Sequence, residues 1–150
     1  LLESNPGLII LRAYTKMYAV PGVRFGWCMT ADAALIEKLY HAGQPWNVSV
    51  IAQACAAAAA NEPDWAAETA KRIAEERRFL SDGLAACGLT VFPGEANFLL
   101  FRSSDTKLHE KLAEHGIMIR NCDNYRGLSA GFYRVAVKSR EASVKLLENI

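Results

Sequence analysis

Two short apolar runs constrain this chain more than any other feature. GLIILRA (7–13) follows Pro6, and FGWCMT (25–30) returns after a Pro21-Gly22 reversal. Neither run alternates apolar with polar. A strand of that kind is covered on both faces, which predicts a buried strand of a parallel or mixed sheet in an α/β fold.

Helical patterns follow. Asp32 can cap a helix over 33–42 that ends at Gly43. A very apolar, Ala-rich segment predicts a second helix over 48–60. Asn61-Glu62-Pro63-Asp64 punctuates the chain, and an amphipathic pattern then runs from about 64 to 87. Its charges (Lys71, Arg72, Glu75, Glu76, Arg77, Arg78) read as a solvated helix face rather than a partner surface.

The texture changes after Gly88. Strands are predicted at 89–92 and 97–101 around Pro93-Gly94. A helix over 105–115 should stop at Gly116, with a strand at 117–120 directly after it. The loop 121–131 leads to a strand at 132–137, and Ser139 can cap a last helix over 140–149. The organisation expected is the tail of a larger α/β domain (1–70), then a small α/β domain (71–150) with helices on one face of its sheet. The chain starts abruptly, with no secretory signal, and reads as part of a longer cytoplasmic protein.

Composition removes several function classes. Of 150 residues 51% are hydrophobic, enough to bury a core, and 17 basic against 16 acidic side chains leave a formal charge of +1. Such a balance supplies no field to steer nucleic acid or an anionic membrane. No apolar run is long enough to span a bilayer. Cys28, Cys55, Cys87 and Cys122 are scattered without ligand or disulfide spacing, so no metal site is expected. His41, His109 and His115 read as surface residues.

Between the two apolar runs lies AYTKMYAVPGVRFGW. Lys16 stands past the end of a predicted strand, with Thr15 before it and Arg24 after the turn. One reading is two edge cations reaching for water. The other is a pocket, since α/β folds carry their chemistry at strand ends and Gly22 and Gly26 allow close backbone approach. An amine, a hydroxyl and a guanidinium suit an aldehyde that also bears a phosphate. The amine can form a Schiff base, and the other two can hold the phosphate. Pyridoxal phosphate is such a molecule.

This stretch resembles the cofactor-lysine motif of fold-type I pyridoxal-phosphate enzymes, the aminotransferase superfamily. The resemblance implies that Lys16 holds the cofactor aldehyde covalently, and that Thr15 and Arg24 hold its phosphate. Ala13 departs from the motif, which usually has Ser or Thr there. GQPWNVS (43–49), VFPGEANFLLFR (91–102), IMIRNCDNYRGL (117–128) and FYRVAVKS (132–139) are similar, in order, to the threonine-phosphate decarboxylase branch linked to cobalamin biosynthesis. They are less similar to the histidinol-phosphate aminotransferase branch. The likeness covers essentially the whole chain and corresponds to the C-terminal half of such an enzyme.

Arg120 and Arg134 interrupt or end apolar strands, where an unpaired charge is costly. Each could pair with a carboxylate in its own domain, or both could grip an anionic substrate. The resemblance supports the second, with Arg134 on an α-carboxylate and Arg120 on a phosphate. Asn97 is a further candidate for substrate contact, although a strand-end hydrogen bond is the commoner role for such a residue. Tyr125 and Arg126 lie in a loop that could close over a cleft.

The resemblance thus implies a pyridoxal-phosphate-dependent, homodimeric enzyme acting on a small anionic amino acid. The competing expectations are decarboxylation of threonine phosphate, transamination of histidinol phosphate or a related amino acid, and an isolated fragment that catalyses nothing.

Overall fold

The computed structural model describes residues 1–150. The chain divides into two compact units, 1–68 and 69–150. The division falls inside one long helix.

In the first unit, β1 (Ile10–Ala13) and β2 (Gly26–Met29) pair antiparallel, with Ile10 opposite Met29 and Ala13 opposite Gly26. Within this chain the two runs thus form a two-stranded antiparallel pair, and they are open rather than buried as the apolar pattern predicts. Leu11 is 76% exposed, and Ile9 and Met29 are also open. Burial on both faces needs neighbouring strands and a layer above and below, and this pair has no third strand beside it.

Helix α1 (Ala33–Ala42) starts where Asp32 Oδ1 accepts from the Leu35 amide at 3.1 Å, and ends where the Gly43 amide donates to Leu39. Helix α2 (Val50–Ala60) begins two residues later than its apolar pattern suggests. Ser49 is the reason: its hydroxyl accepts from the Ala52 amide and makes it the N-cap.

Helix α3 (Pro63–Ala86) opens with proline, which has no amide hydrogen to leave unsatisfied there. In the second unit, β3 (Thr90–Phe92), β4 (Phe98–Arg102), β5 (Arg120–Asn121) and β6 (Phe132–Ala136) form an antiparallel sheet in the order β3-β4-β6-β5. Helices α4 (Leu108–Glu114) and α5 (Arg140–Leu147) complete the unit.

Side chains alternate across this sheet, so register decides burial. Leu99, Phe101 and Tyr133 point inward and pack with Leu80 and Leu84 of α3, Leu108 and Leu112 of α4, and Leu146 of α5. All three helices thus contribute to one core on one face of the sheet, as the sequence pattern predicts. The Tyr133 hydroxyl donates to the Asp105 carbonyl at 3.0 Å, so this fully buried ring satisfies its polar end.

Three local expectations change. Helix α4 starts at 108 rather than 105, because Asp105 makes a side-chain turn with the Lys107 amide at 2.9 Å. Only Arg120 and Asn121 pair as β5, whereas a strand was expected over 117–120. The Ile117 amide instead donates back to Leu112, closing α4 around Gly116 (φ 70°). His109 is no surface residue: its Nδ1 is buried without a partner, and its ring lies 5.7 Å from that of Tyr133. No helix is long and apolar enough to cross a membrane.

Candidate functional site

The lysine turn is built by local bonds. The Tyr14 amide continues the β1–β2 ladder to the Phe25 carbonyl at 3.4 Å. The Tyr18 amide then donates to Tyr14 and the Ala19 amide to Lys16. Tyr14 packs its ring on Tyr18 and Phe25, with centroids 4.8 and 5.4 Å away. The Trp65 indole donates to the Met17 carbonyl at 3.0 Å and ties the turn to α3. Lys16 projects from this braced turn into the open, and Thr15 is half-buried.

Pro21–Val23 form one 3₁₀ turn, and Arg24 follows in the left-handed region at φ 57°. Its guanidinium donates to the Pro21 carbonyl at 2.9 Å, which curls the side chain back over the turn. Gly26 is required by packing on β1, since a Cβ there would sit 3.0 Å from the Arg12 carbonyl; Gly22 faces open space. Lys16, Thr15 and Arg24 all stand on the single β1–β2 connection. Neither cation is in an ion pair: the pairs are His41–Glu37, Arg77–Glu95, Lys111–Asp105 and Arg140–Glu76.

The second unit has a different feature. Arg120 and Arg134 are paired across β5 and β6. Residues directly opposite in an antiparallel pair rise from one face, about 4.5–5.5 Å apart at Cα. Here it is the face without helices. No carboxylate meets either arginine, so pairing inside the small domain is ruled out as their role. Each packs on a ring: Arg134 lies 5.0 Å from the Phe98 centroid and Arg120 lies 5.7 Å from that of Tyr125.

Cys122 steadies the strand that bears Arg120. Its amide donates to Phe132 at 2.9 Å, and its buried thiol lies 3.7 Å from the Arg120 carbonyl. Burial pushes that thiol's pKa up, against the opposing pull of Arg134 and Arg120. The following loop is not free, because Tyr125 donates to Cys122 and Leu128 to Tyr125. Asn97 is exposed. Its carbonyl accepts from the Val137 amide at 2.9 Å, extending the β4–β6 ladder, while no protein partner engages its side chain.

Sequence reasoning missed three residues here. Arg102 shares the open face, 5.6 Å from the Phe132 ring, itself stacked on Phe92. The Phe98-Leu100-Arg102 alternation holds that signal. Arg77 was assigned to a solvated charge run, yet its side chain is only 15% exposed and binds the turn before β4. Glu76 likewise leaves the solvated face for a two-bond pair with Arg140, both at 2.8 Å.

The first unit thus carries an amine-bearing turn, and the second carries an unpaired arginine couple on the sheet face without helices. The sequence profile described as "Aminotransferase class I and II" matches residues 1–150, and the chain belongs to that family. Its architecture is that of the fold-type I pyridoxal-phosphate enzymes. It is 36% identical over 149 residues to the threonine-phosphate decarboxylase of Salmonella typhimurium, covering 97% of this chain and 41% of that protein. The crystal structure of histidinol-phosphate aminotransferase from Clostridium acetobutylicum superposes with a TM-score of 0.91 at 31% identity, over 99% of this chain and 46% of that one. The histidinol-phosphate aminotransferase of Sinorhizobium meliloti in complex with pyridoxal-5'-phosphate shares the fold, with a TM-score of 0.77 at 23% identity, over 95% and 40%. The chain spans about two-fifths of the length of the curated relatives it matches.

Proposed function

We propose that the protein to which this chain belongs decarboxylates L-threonine O-3-phosphate to an aminopropanol phosphate with pyridoxal phosphate as cofactor. The observation that carries this reading is the unpaired Arg120–Arg134 couple on the bare sheet face. Two guanidiniums from directly opposed positions suit two anionic groups a few bonds apart on one small molecule. Threonine phosphate has such a pair, a carboxylate and a phosphate. Histidinol phosphate has only one anionic group.

The residues of the first unit fit the cofactor by their donor chemistry. Lys16 would hold its aldehyde carbon, and Thr15 and Arg24 its phosphate. When bound, the cofactor withdraws electrons from whichever substrate Cα bond stands perpendicular to its ring. Arg134 would bind the substrate carboxylate and Arg120 the phosphate, and so set which bond takes that position. A carboxylate held perpendicular is lost as CO2. Where the arginines present the Cα–H bond instead, the Lys16 amine, released from the aldehyde as the substrate amine takes its place, would accept the proton. Both outcomes use the same side chains, and small differences in how the guanidiniums are held decide between them.

Transamination is the second reading, favoured by the 31% identity and high TM-score to a histidinol-phosphate aminotransferase. One assay on the full-length protein separates them: L-threonine O-3-phosphate is supplied with and without a 2-oxo acid. Release of CO2 without the oxo acid supports the decarboxylase. Amino transfer without CO2 overturns it in favour of the second reading.

A further inference from the structure

Asn97 and Phe98 follow a turn that has little to hold it. Residues 93–98 are all exposed, and Pro93 lacks an amide hydrogen. The side-chain bonds to this turn come from Arg77, on α3. Its Nη1 donates to the Glu95 carbonyl at 3.0 Å and to the Ala96 carbonyl at 3.1 Å, and its Nη2 donates to Glu95 Oε2 at 3.1 Å. The guanidinium is mostly covered, while the Glu95 side chain is 98% exposed. The pair with the carboxylate is therefore worth little, and the two carbonyl bonds define the contact.

From those carbonyls the chain runs directly to the substrate face. The next residue, Asn97, enters the β4–β6 ladder through Val137. After it comes Phe98, whose ring lies 5.0 Å from the Arg134 guanidinium. We infer that Arg77 is a positioning residue: by clamping the Glu95 and Ala96 carbonyls it fixes where Phe98 presents its ring, and thereby the rotamer of Arg134. The contact is not part of the core, which α3 supplies through Leu80 and Leu84. A planar fork suits the task, because one rigid group reaches two adjacent carbonyls at once. The inference rests on the reading that Arg134 grips the substrate carboxylate.

The test is a double-mutant cycle in the full-length protein, with KM and kcat for L-threonine O-3-phosphate, cofactor content and Tm as readouts. Arg77→Ala should raise KM about 10-fold and lower kcat as well, since a misplaced Arg134 costs affinity and the alignment of the bond to be broken. Cofactor content and Tm should stay near wild type. Arg77→Lys should recover part of the loss, and Glu95→Ala should leave KM unchanged. In an Arg134→Ala background, Arg77→Ala should add less than about 2-fold, because nothing remains to position. If Arg77→Ala does not fold, Arg77→Lys takes its place in the cycle. An unchanged KM, a full-sized effect without Arg134, or a Glu95→Ala that reproduces the loss overturns the inference. Arg134→Ala with normal KM instead overturns the grip reading itself, and the inference with it.

Discussion

Arg120 and Arg134 stand directly opposite each other across β5 and β6, and no carboxylate lies beside either. Like charges in that relationship repel and cost stability. A bound anion between them would offset that repulsion. Replacing either with Ala in the full-length protein should lower kcat/KM by roughly 10²-fold, about 2.7 kcal/mol. The melting temperature should hold or rise slightly, because no buried partner is left unpaired. A fall of about 3–5 kcal/mol in stability with normal kinetics would mark them as structural instead.

Lys16 should be the residue that carries the cofactor. Borohydride reduction of the loaded full-length protein, followed by peptide mapping, should place the pyridoxyl label on Lys16. A label on any other lysine ends that assignment. Arg24→Ala should weaken cofactor binding about 10- to 100-fold, the loss of one charged hydrogen bond to phosphate. Arg24 has only the Pro21 carbonyl as a partner in the protein, so the fold should survive.

Gly131 tests the sheet rather than the site. Its φ is 92°, and a Cβ there would meet the Ser103 carbonyl oxygen at 2.5 Å. The same two residues share a ladder bond, Ser103 amide to Gly131 carbonyl, at 2.9 Å. Neither backbone can move without breaking the β4–β6 edge. Gly131→Ala should therefore cost about 2 kcal/mol or more in urea unfolding. Gly88→Ala is the control, with positive φ (80°) but open space around its Cα. It should cost less.

Acid should weaken the second unit through two carboxylates. Hydrogen bonding from Lys111, and then from the Lys107 amide, holds the Asp105 pKa below its ordinary value. Hydrogen bonding from Arg140 does the same for Glu76. A carboxylate with a lowered folded pKa contributes stability above its unfolded pKa, and that contribution disappears as pH falls through the folded value. Stability should thus be level near neutrality and decline below about pH 4.5, where free carboxylates begin to protonate. Asp105→Asn with Glu76→Gln should flatten that decline. An unaltered acid limb in the double variant would show that neither group carries it.

The local grammar of this chain was legible residue by residue. Asp32, Gly43, Gly116 and Ser139 start or stop helices where their capping chemistry predicts, because a cap depends only on neighbours three or four residues away. The stretch that resembles a cofactor-lysine motif and the two arginines proposed for substrate stand out for the same reason, being short patterns of residue type. Tertiary structure decided the rest. Whether β1 and β2 were buried depended on what lies beside them, which apolar content does not state. That Arg120 and Arg134 face each other followed from strand order and register, since a shift of one residue would send a side chain to the opposite face. That Arg77 left its charged helix face to hold a turn eighteen residues away depended on packing α3 against the sheet. Helical periodicity describes which side of a helix is charged, and only the folded chain determines what that side meets.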